Sequence, residues 1–476
     1  MRAAFILLLL VLQAVAFQLP FQLPDFFGKT DTNIEQSSIH YSELDPSVHP
    51  INLSQYQNKY VITIKYGGDD DLKKTLLRPS AQKEFNFTKW GRSNTQQTID
   101  LQIDAENMKK MIERFPSMEF QVLIEDLSQA VFETYPAHES FYNQSLKAKE
   151  EMGGDIHSYS ELFFKEYRDL KAIDSWLDLL QSTYPDVISL EEIGETFEHK
   201  KIKVVHFATP NDDLKHDEKK TIVITGGVHA REWISVSTTL YVMYQLIQLY
   251  ETNPTSKALT NLNFLFIPVI NPDGYEYTWT TDRLWRKNRQ QTPVPHCFGI
   301  DIDHSYDYHW TKSSDWACGE EYSGEVPFEA FESRIWDQYL NETNAEHKIA
   351  GYIDLHSYSQ EILYPYAYLC NQQPRDEENL LELAYGIARS IRLQLGHTYQ
   401  VLPACIDKDA DYLPDLGSGT SLDFMYHNRA YWAYQLKLRD TGGHGFLLPS
   451  KYIEPVGDEI YAAIKYFCKF ILSDDR

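Results

Sequence analysis

Two continuous apolar runs, Thr221–Thr225 (TIVIT) and Leu262–Val269 (LNFLFIPV), constrain the fold of this chain more than any other feature. A strand with one wet face alternates polar and apolar residues, whereas a run without alternation has both faces covered. From Tyr159 onward such runs are separated by helical patterns such as Ile173–Leu180 (IDSWLDLL). That order predicts an α/β domain built on a largely buried sheet.

Upstream the pattern changes. Tyr60–Tyr66 (YVITIKY) and Thr98–Ile103 (TIDLQI) alternate as strands do, Glu106–Phe115 has helical character, and Phe120–Glu125 (FQVLIE) is a third β-like run. These elements predict a small α+β domain within residues 17–136, with no nucleophile or metal cluster in it. Residues 137–157 carry mixed charge, Gly153-Gly154 and little apolar periodicity, so they read as a linker in which Lys147 and Lys149 are open to a processing protease. The remainder, 158–476, is the main domain. A chain of 476 residues exceeds what one core usually serves, in agreement with this division.

Met1–Ala16 combines Arg2, the apolar run Phe5–Leu12 and the small-residue pattern Ala14-Val15-Ala16, which reads as a secretory signal peptide. Acceptor sequons at Asn52, Asn86, Asn143 and Asn341 agree with a secreted glycoprotein. No later stretch is long and apolar enough to span a bilayer. With 44 basic and 69 acidic residues the formal charge is −25, which disfavours nucleic acid and anionic membranes as partners. The five cysteines, Cys297, Cys318, Cys370, Cys405 and Cys468, leave at least one outside any intramolecular pairing, and their spacing alone assigns no pairs.

The chemistry sits at strand ends. Thr221–Thr225 runs into Gly226–Trp233 (GGVHAREW), placing His229 and Glu232 three residues apart. In a helical turn such residues share a face, so imidazole and carboxylate converge on one cation. His356 closes another apolar strand, in Ile353–Gln360 (IDLHSYSQ). Two histidines and a glutamate leave the fourth tetrahedral position open, as in a catalytic zinc site.

In order and phrasing, the segments GGVHAREWI, PVINPDGYEYTW, RLWRKNR, IDLHSYSQEILYPY and LRDTGGHGFLLP resemble the zinc carboxypeptidases of the carboxypeptidase A/B, or funnelin, family. The resemblance runs from about Tyr159 to the C-terminus. It implies a single α/β domain with a mixed eight-stranded sheet between helices, and an inhibitory pro-domain before it. It further implies one Zn²⁺ per chain held by His229, Glu232 and His356, with Arg286 as the oxyanion arginine. Arg231 and Arg283 match subsidiary substrate-binding arginines, and Ser357 and Tyr358 match residues lining the peptide subsites. A Cys297–Cys318 disulfide is implied as well, with Cys370 and Cys405 as a candidate second pair and Cys468 free.

The pattern breaks at the residues that would do the work. Where the family has its general-base glutamate, this chain has Lys437, and a charged ammonium cannot accept a proton from water. General-base action is typically worth roughly 10²–10⁴-fold in rate. Where the family grips the substrate's terminal carboxylate with an Asn-Arg pair, this chain has Asp303 and His304, and an anion there would repel that carboxylate. The family's mobile tyrosine falls on Asp415, with Tyr412 nearby as a substitute, and the side-chain-pocket position falls on Leu422, which suits apolar residues. Such departures around intact metal ligands resemble the fungal inactive metallocarboxypeptidases linked to cell-wall organisation, which are secreted or vacuolar.

The leading expectation is therefore a secreted, zinc-binding, catalytically inactive homologue, monomeric, with a peptide or cell-wall-associated ligand. The alternative is an active zinc carboxypeptidase that releases C-terminal residues with altered chemistry, using a neutral Lys437 or Asp303 as base. A metal-free scaffold is the third, disfavoured because all three ligands survive.

Overall fold

The computed structural model describes residues 51–136, 156–210, 219–407 and 417–473. The signal-peptide reading, Lys147, Lys149, Asn143, Tyr412 and Asp415 lie outside the described residues, as does the linker up to residue 155; Ile156 and His157 open the helix Ile156–Phe163. Asn52, Asn86 and Asn341 are all exposed.

The N-terminal part is an antiparallel sheet of β1 (Lys59–Lys65), β2 (Thr88–Ser93), β3 (Thr98–Asp104) and β4 (Glu119–Ile124), in the order β2-β3-β1-β4. Alternation does what it predicts: Ile62, Ile64, Leu101 and Ile103 face helices Asp70–Leu77 and Ala105–Arg114 through Leu72, Leu76 and Met111. Aspartate starts three of its helices, with Asp69, Asp104 and Asp126 each accepting a bond from a backbone N–H three residues on, at 2.8–3.0 Å. The strand β2 (TKWGRS) escapes a reading based on apolar alternation.

The main domain carries a mixed eight-stranded sheet. Its strands are β5 (Ile188–Glu195), β6 (Lys201–Phe207), β7 (Lys220–Thr225), β8 (Leu262–Ile267), β9 (Lys348–Ser357), β10 (Glu361–Tyr364), β11 (Gln400–Pro403) and β12 (Trp432–Leu438). They lie in the order β11-β10-β12-β9-β7-β8-β6-β5, with β12, β9, β7 and β8 mutually parallel at the centre. Every residue of β8 is buried, and β7 is buried after Lys220, as unalternating runs require. Helix Trp233–Thr252, buried on all sides from Trp233 to Tyr244, packs on β8 and β9, and helix Ile453–Ser473 packs on it in turn. The chain leaves β7 toward β8 on one side, while β9 lies on the other. Between their carboxyl ends opens the crevice where open α/β sheets bind ligands.

The two parts are bolted together by buried aromatic and arginine side chains. Tyr135 donates to the Thr278 carbonyl at 2.7 Å and sets its ring edge-on to Trp233 and Trp279. Tyr56 donates to Asp282 at 2.7 Å and accepts from the Arg283 amide at 2.8 Å. The Arg283 guanidinium, fully buried, bonds Thr134 Oγ1 and the carbonyls of Arg231 and Phe446, and stacks 3.6 Å from the Trp233 ring centre. Burial lowers its pKa to about 10. A guanidinium satisfied by neutral acceptors depends on keeping every one of them.

The long excursion between β8 and β9 is pinned from within. Asn288 donates to Glu332 Oε2 at 2.7 Å and accepts the Ile300 amide at 2.7 Å, which fixes the loop entering the crevice. Cys297 pairs with Cys318 across this excursion, Cys370 pairs with Cys405, and Cys468 is buried and free. In the chain-entropy view the first bridge is worth about 3 kcal/mol.

Two outcomes follow from these contacts. Cleavage at Lys147 or Lys149 should leave the N-terminal domain bound, so both fragments co-elute in size-exclusion chromatography, and Tyr135→Ala should release it; free dissociation of the cleaved wild-type fragments would contradict the anchoring. Burial raises Glu332 from 4.5 to about 7. The folded state thus holds a proton that the unfolded state gives up, so this group's contribution to stability is complete below pH 4.5 and is lost as pH rises through 7. Glu332→Gln should match wild type in melting temperature at pH 4.5 and exceed it at pH 8, by on the order of 2–3 kcal/mol in stability.

Candidate metal centre and its cleft

The turn after β7 begins the site. Gly227, at φ +66°, lets the chain leave the strand sharply; a Cβ there would lie 2.8 Å from Val236 Cγ2. The Glu232 amide then bonds the His229 carbonyl at 3.1 Å, closing a turn that brings the two side chains side by side. The shared face therefore comes from this turn rather than from the helical turn their spacing suggested. Glu232 is the residue from which helix Trp233–Thr252 starts, where a carboxylate is electrostatically favoured.

His356 arrives from the end of β9. His229, Glu232 and His356 offer ligand atoms that all lie within 4.8 Å of one another, and all three residues are buried. Glu232 stands between the rings, with Oε1 2.9 Å from His229 Nδ1 and Oε2 3.2 Å from His356 Nδ1. The Ser357 amide donates to Oε2 at 3.0 Å. Each ring turns its Nε2 to an aspartate: His229 to Asp301 at 3.1 Å, and His356 to Asp354 at 3.1 Å. An Nε2–H donated outward leaves the Nδ1 lone pair facing inward, the tautomer a metal needs.

Charge tests the fit of a cation. Glu232, Asp301, Asp303 and Asp354 are each no more than 4% exposed, and Arg286, 2.9 Å from Asp301, is the guanidinium set against them. Burial opposes ionisation of Asp301, but Arg286 and His229 hold it well below the usual carboxylate range. Burial likewise opposes a charged His356, yet Asp354 and Glu232 hold its pKa well above the usual value. Carboxylate oxygens within 3.2 Å of two Nδ1 atoms require either protons or a metal between them. A divalent cation bound by two nitrogens and one oxygen answers both demands, and this donor set suits zinc.

Lys437 is placed by sheet register. On β12 it lies opposite His356 of β9 on one side and Glu361 of β10 on the other. Directly opposite residues share a face of the sheet, and His356 and Lys437 line the crevice. Lys437 Nζ pairs with Glu361 Oε2 at 3.1 Å.

Asp303 and His304 line the same cleft, which has a volume of about 690 Å³. Asp303 turns inward, accepting from Ser421 Oγ at 2.6 Å and Gln435 Nε2 at 3.2 Å. His304 Nδ1 meets the Ser418 carbonyl at 3.1 Å. Arg231 also lines the cleft, held two-pronged by Glu320 at 2.7 and 3.1 Å beneath the Phe446 ring. Tyr358 donates to Asp100 of the N-terminal domain at 2.7 Å, beside Trp90, which packs on Phe446. Among the described residues expected at the cleft, Arg283 alone does not line it, being the bolt between the two domains. Leu422 lines the cleft and is buried.

Sequence reasoning missed Asp301, Asp354, Glu361, Ser421 and Gln435. Asp354 had a signal, since a carboxylate two residues before a strand-end histidine shares its face. Glu361 and Ser421 had none, because only strand pairing and tertiary packing bring them to the site.

Residues 173–463 match the family described as zinc carboxypeptidase. The inactive metallocarboxypeptidase ECM14 of Saccharomyces cerevisiae is 50% identical over 88% of this chain and 94% of its own length. The ECM14 of Ajellomyces capsulatus is 36% identical over 89% of this chain and 72% of its own. Among solved structures, thrombin activatable fibrinolysis inhibitor superposes with a TM-score of 0.74 at 24% identity, covering 88% of this chain and all of that one. Carboxypeptidase A from Helicoverpa armigera gives 0.71 at 22% identity, over 88% and 99%. Together with the converging ligands, these matches show that the chain belongs to the zinc carboxypeptidase family.

Proposed function

We propose that this protein is a zinc-holding, catalytically inactive carboxypeptidase homologue that binds rather than cuts. The observation that carries the reading is Lys437 in register with His356 and ion-paired to Glu361, where hydrolysis needs a carboxylate free to take a proton. His229, Glu232 and His356 would hold the metal, which when bound polarises a carbonyl or a water. The chain's own residues do not complete that chemistry. Lys437 is ion-paired to Glu361, Arg231 is held two-pronged by Glu320, and Arg286 gives one N–H to Asp301.

Substrate capture fails on its own account. Asp303 presents its carboxylate to Ser421 and Gln435, and His304 bonds a backbone carbonyl, so neither position supplies a two-pronged cation for a terminal carboxylate. The relatives named inactive metallocarboxypeptidase support the same reading. The alternative of an active carboxypeptidase with Asp303 as base gains no support from a carboxylate already occupied in this way. Passage through the secretory pathway, with a place in cell-wall organisation or the vacuole, rests on the signal-like N-terminus, the sequons and the resemblance of the sequence.

Zinc should be found at about one per chain in the purified protein, and a strong chelator should lower its melting temperature at pH 7, with His356→Ala abolishing both effects; metal-free protein insensitive to added zinc would refute the metal reading. After linker cleavage, the protein should release no C-terminal residue from peptides, and turnover by the unmodified chain overturns the proposal. Lys437→Glu sets two carboxylates opposite each other and should destabilise by on the order of 1–3 kcal/mol. Adding Glu361→Gln should recover stability but little hydrolysis, because Asp303 and His304 remain; robust turnover by that double variant would show that substrate capture was never lost.

A further inference from the structure

The geometry points to Asp303 as a positioning residue of the metal centre, acting on His356 through a chain of buried groups, Ser421 and Asp354. This rests on the zinc reading above and extends it. The position that would grip a substrate carboxylate has been turned inward to brace a ligand.

Three separate segments build the chain. Asp303 lies in the short turn Ile302–His304, Ser421 opens the helix Ser421–Asn428, and Asp354 and His356 are two apart on β9. The Ser421 hydroxyl stands 2.6 Å from Asp303 Oδ1 and 3.0 Å from Asp354 Oδ2. Asp354 Oδ2 in turn receives His356 Nε2 at 3.1 Å, while Oδ1 takes the Thr225 hydroxyl at 2.6 Å. All four members of the chain are at most 4% exposed.

Register explains why the chain is rigid. Thr225, Asp354 and Gln435 lie side by side on β7, β9 and β12, one row behind His356 and Lys437 on the same face. Gln435 then steadies Asp303 from the sheet, and the Ser421 amide does so from the helix start at 3.3 Å. A hydroxyl has one proton, so Asp303 and Asp354 share it. Asp303, the nearer acceptor at 2.6 Å, fixes the rotamer of the Ser421 hydroxyl; without Asp303 that hydroxyl is free to turn from Asp354, and without the hydroxyl Asp354 Oδ2 keeps only His356, the imidazole whose Nδ1 must face Glu232. Groups behind a metal-bound histidine typically alter metal affinity by about 10–100-fold.

The test is zinc affinity of the full-length protein, measured by competition with a chromophoric chelator at pH 7, with the melting temperature of each metal-free variant as the check on folding. Ser421→Ala, which leaves every charge in place, should weaken zinc by about 10-fold or more. Asp303→Asn should weaken it comparably, and the double variant no more than the worse single. Additive losses would mean that Asp303 acts on the metal only by its charge, and unchanged affinity in Ser421→Ala would remove the chain altogether; either overturns the proposal. Absence of zinc binding by the wild type would overturn the metal reading first and the proposal with it, which separates the two failures.

Discussion

One carboxylate facing two imidazoles sets the terms for the rest of this fold. Glu232 lies within 3.2 Å of both Nδ1 atoms and is buried at the wall of the cleft, so the rings must be held at fixed angles and the charge answered. Asp301 and Asp354 hold the angles from behind. Each is itself fixed by something else: Asp301 by Arg286 and by a loop pinned on Asn288, Asp354 by its place on a central strand. The sheet, the disulfide-bearing excursion and the start of the long buried helix are thereby tied to one point.

Around that point the departures from a hydrolytic site come with partners. Lys437 has Glu361 and Asp303 has Ser421 and Gln435. An isolated ammonium or carboxylate in so enclosed a cleft would cost several kcal/mol. The cleft's charge balance therefore extends beyond the motif positions, because Glu361 pairs with the lysine from a neighbouring strand. The site is balanced by pairs, and no single reversal restores an earlier state.

What the sequence discloses and what it hides divide along a physical line. His229, Glu232 and His356 were legible because each ends or follows a strand whose apolar run is itself visible. The central strands β7 and β8 were legible for the same reason, while the four-residue strands β10 and β11 are too short to show a period. Arg283 misled: its motif placed it with the substrate arginines, but whether an arginine faces a cleft or a tyrosine from another domain is decided by packing that no local pattern records. Glu361 and Ser421 were invisible until pairing and helix placement brought them near.

Inactivity in such a site belongs to the whole cleft rather than to one residue. Transition-state stabilisation needs donors aimed at where charge will develop and not spent beforehand. Here Arg286 gives one N–H to Asp301, Arg231 is held by Glu320, and the Tyr358 hydroxyl is given to Asp100 of a domain that is itself anchored through Tyr56 and Tyr135. An enzyme must break such contacts to turn over, and the Arg231–Glu320 contact is two-pronged. The same completeness that removes catalysis keeps the three candidate ligands in place, since groups with internal partners need not reorganise.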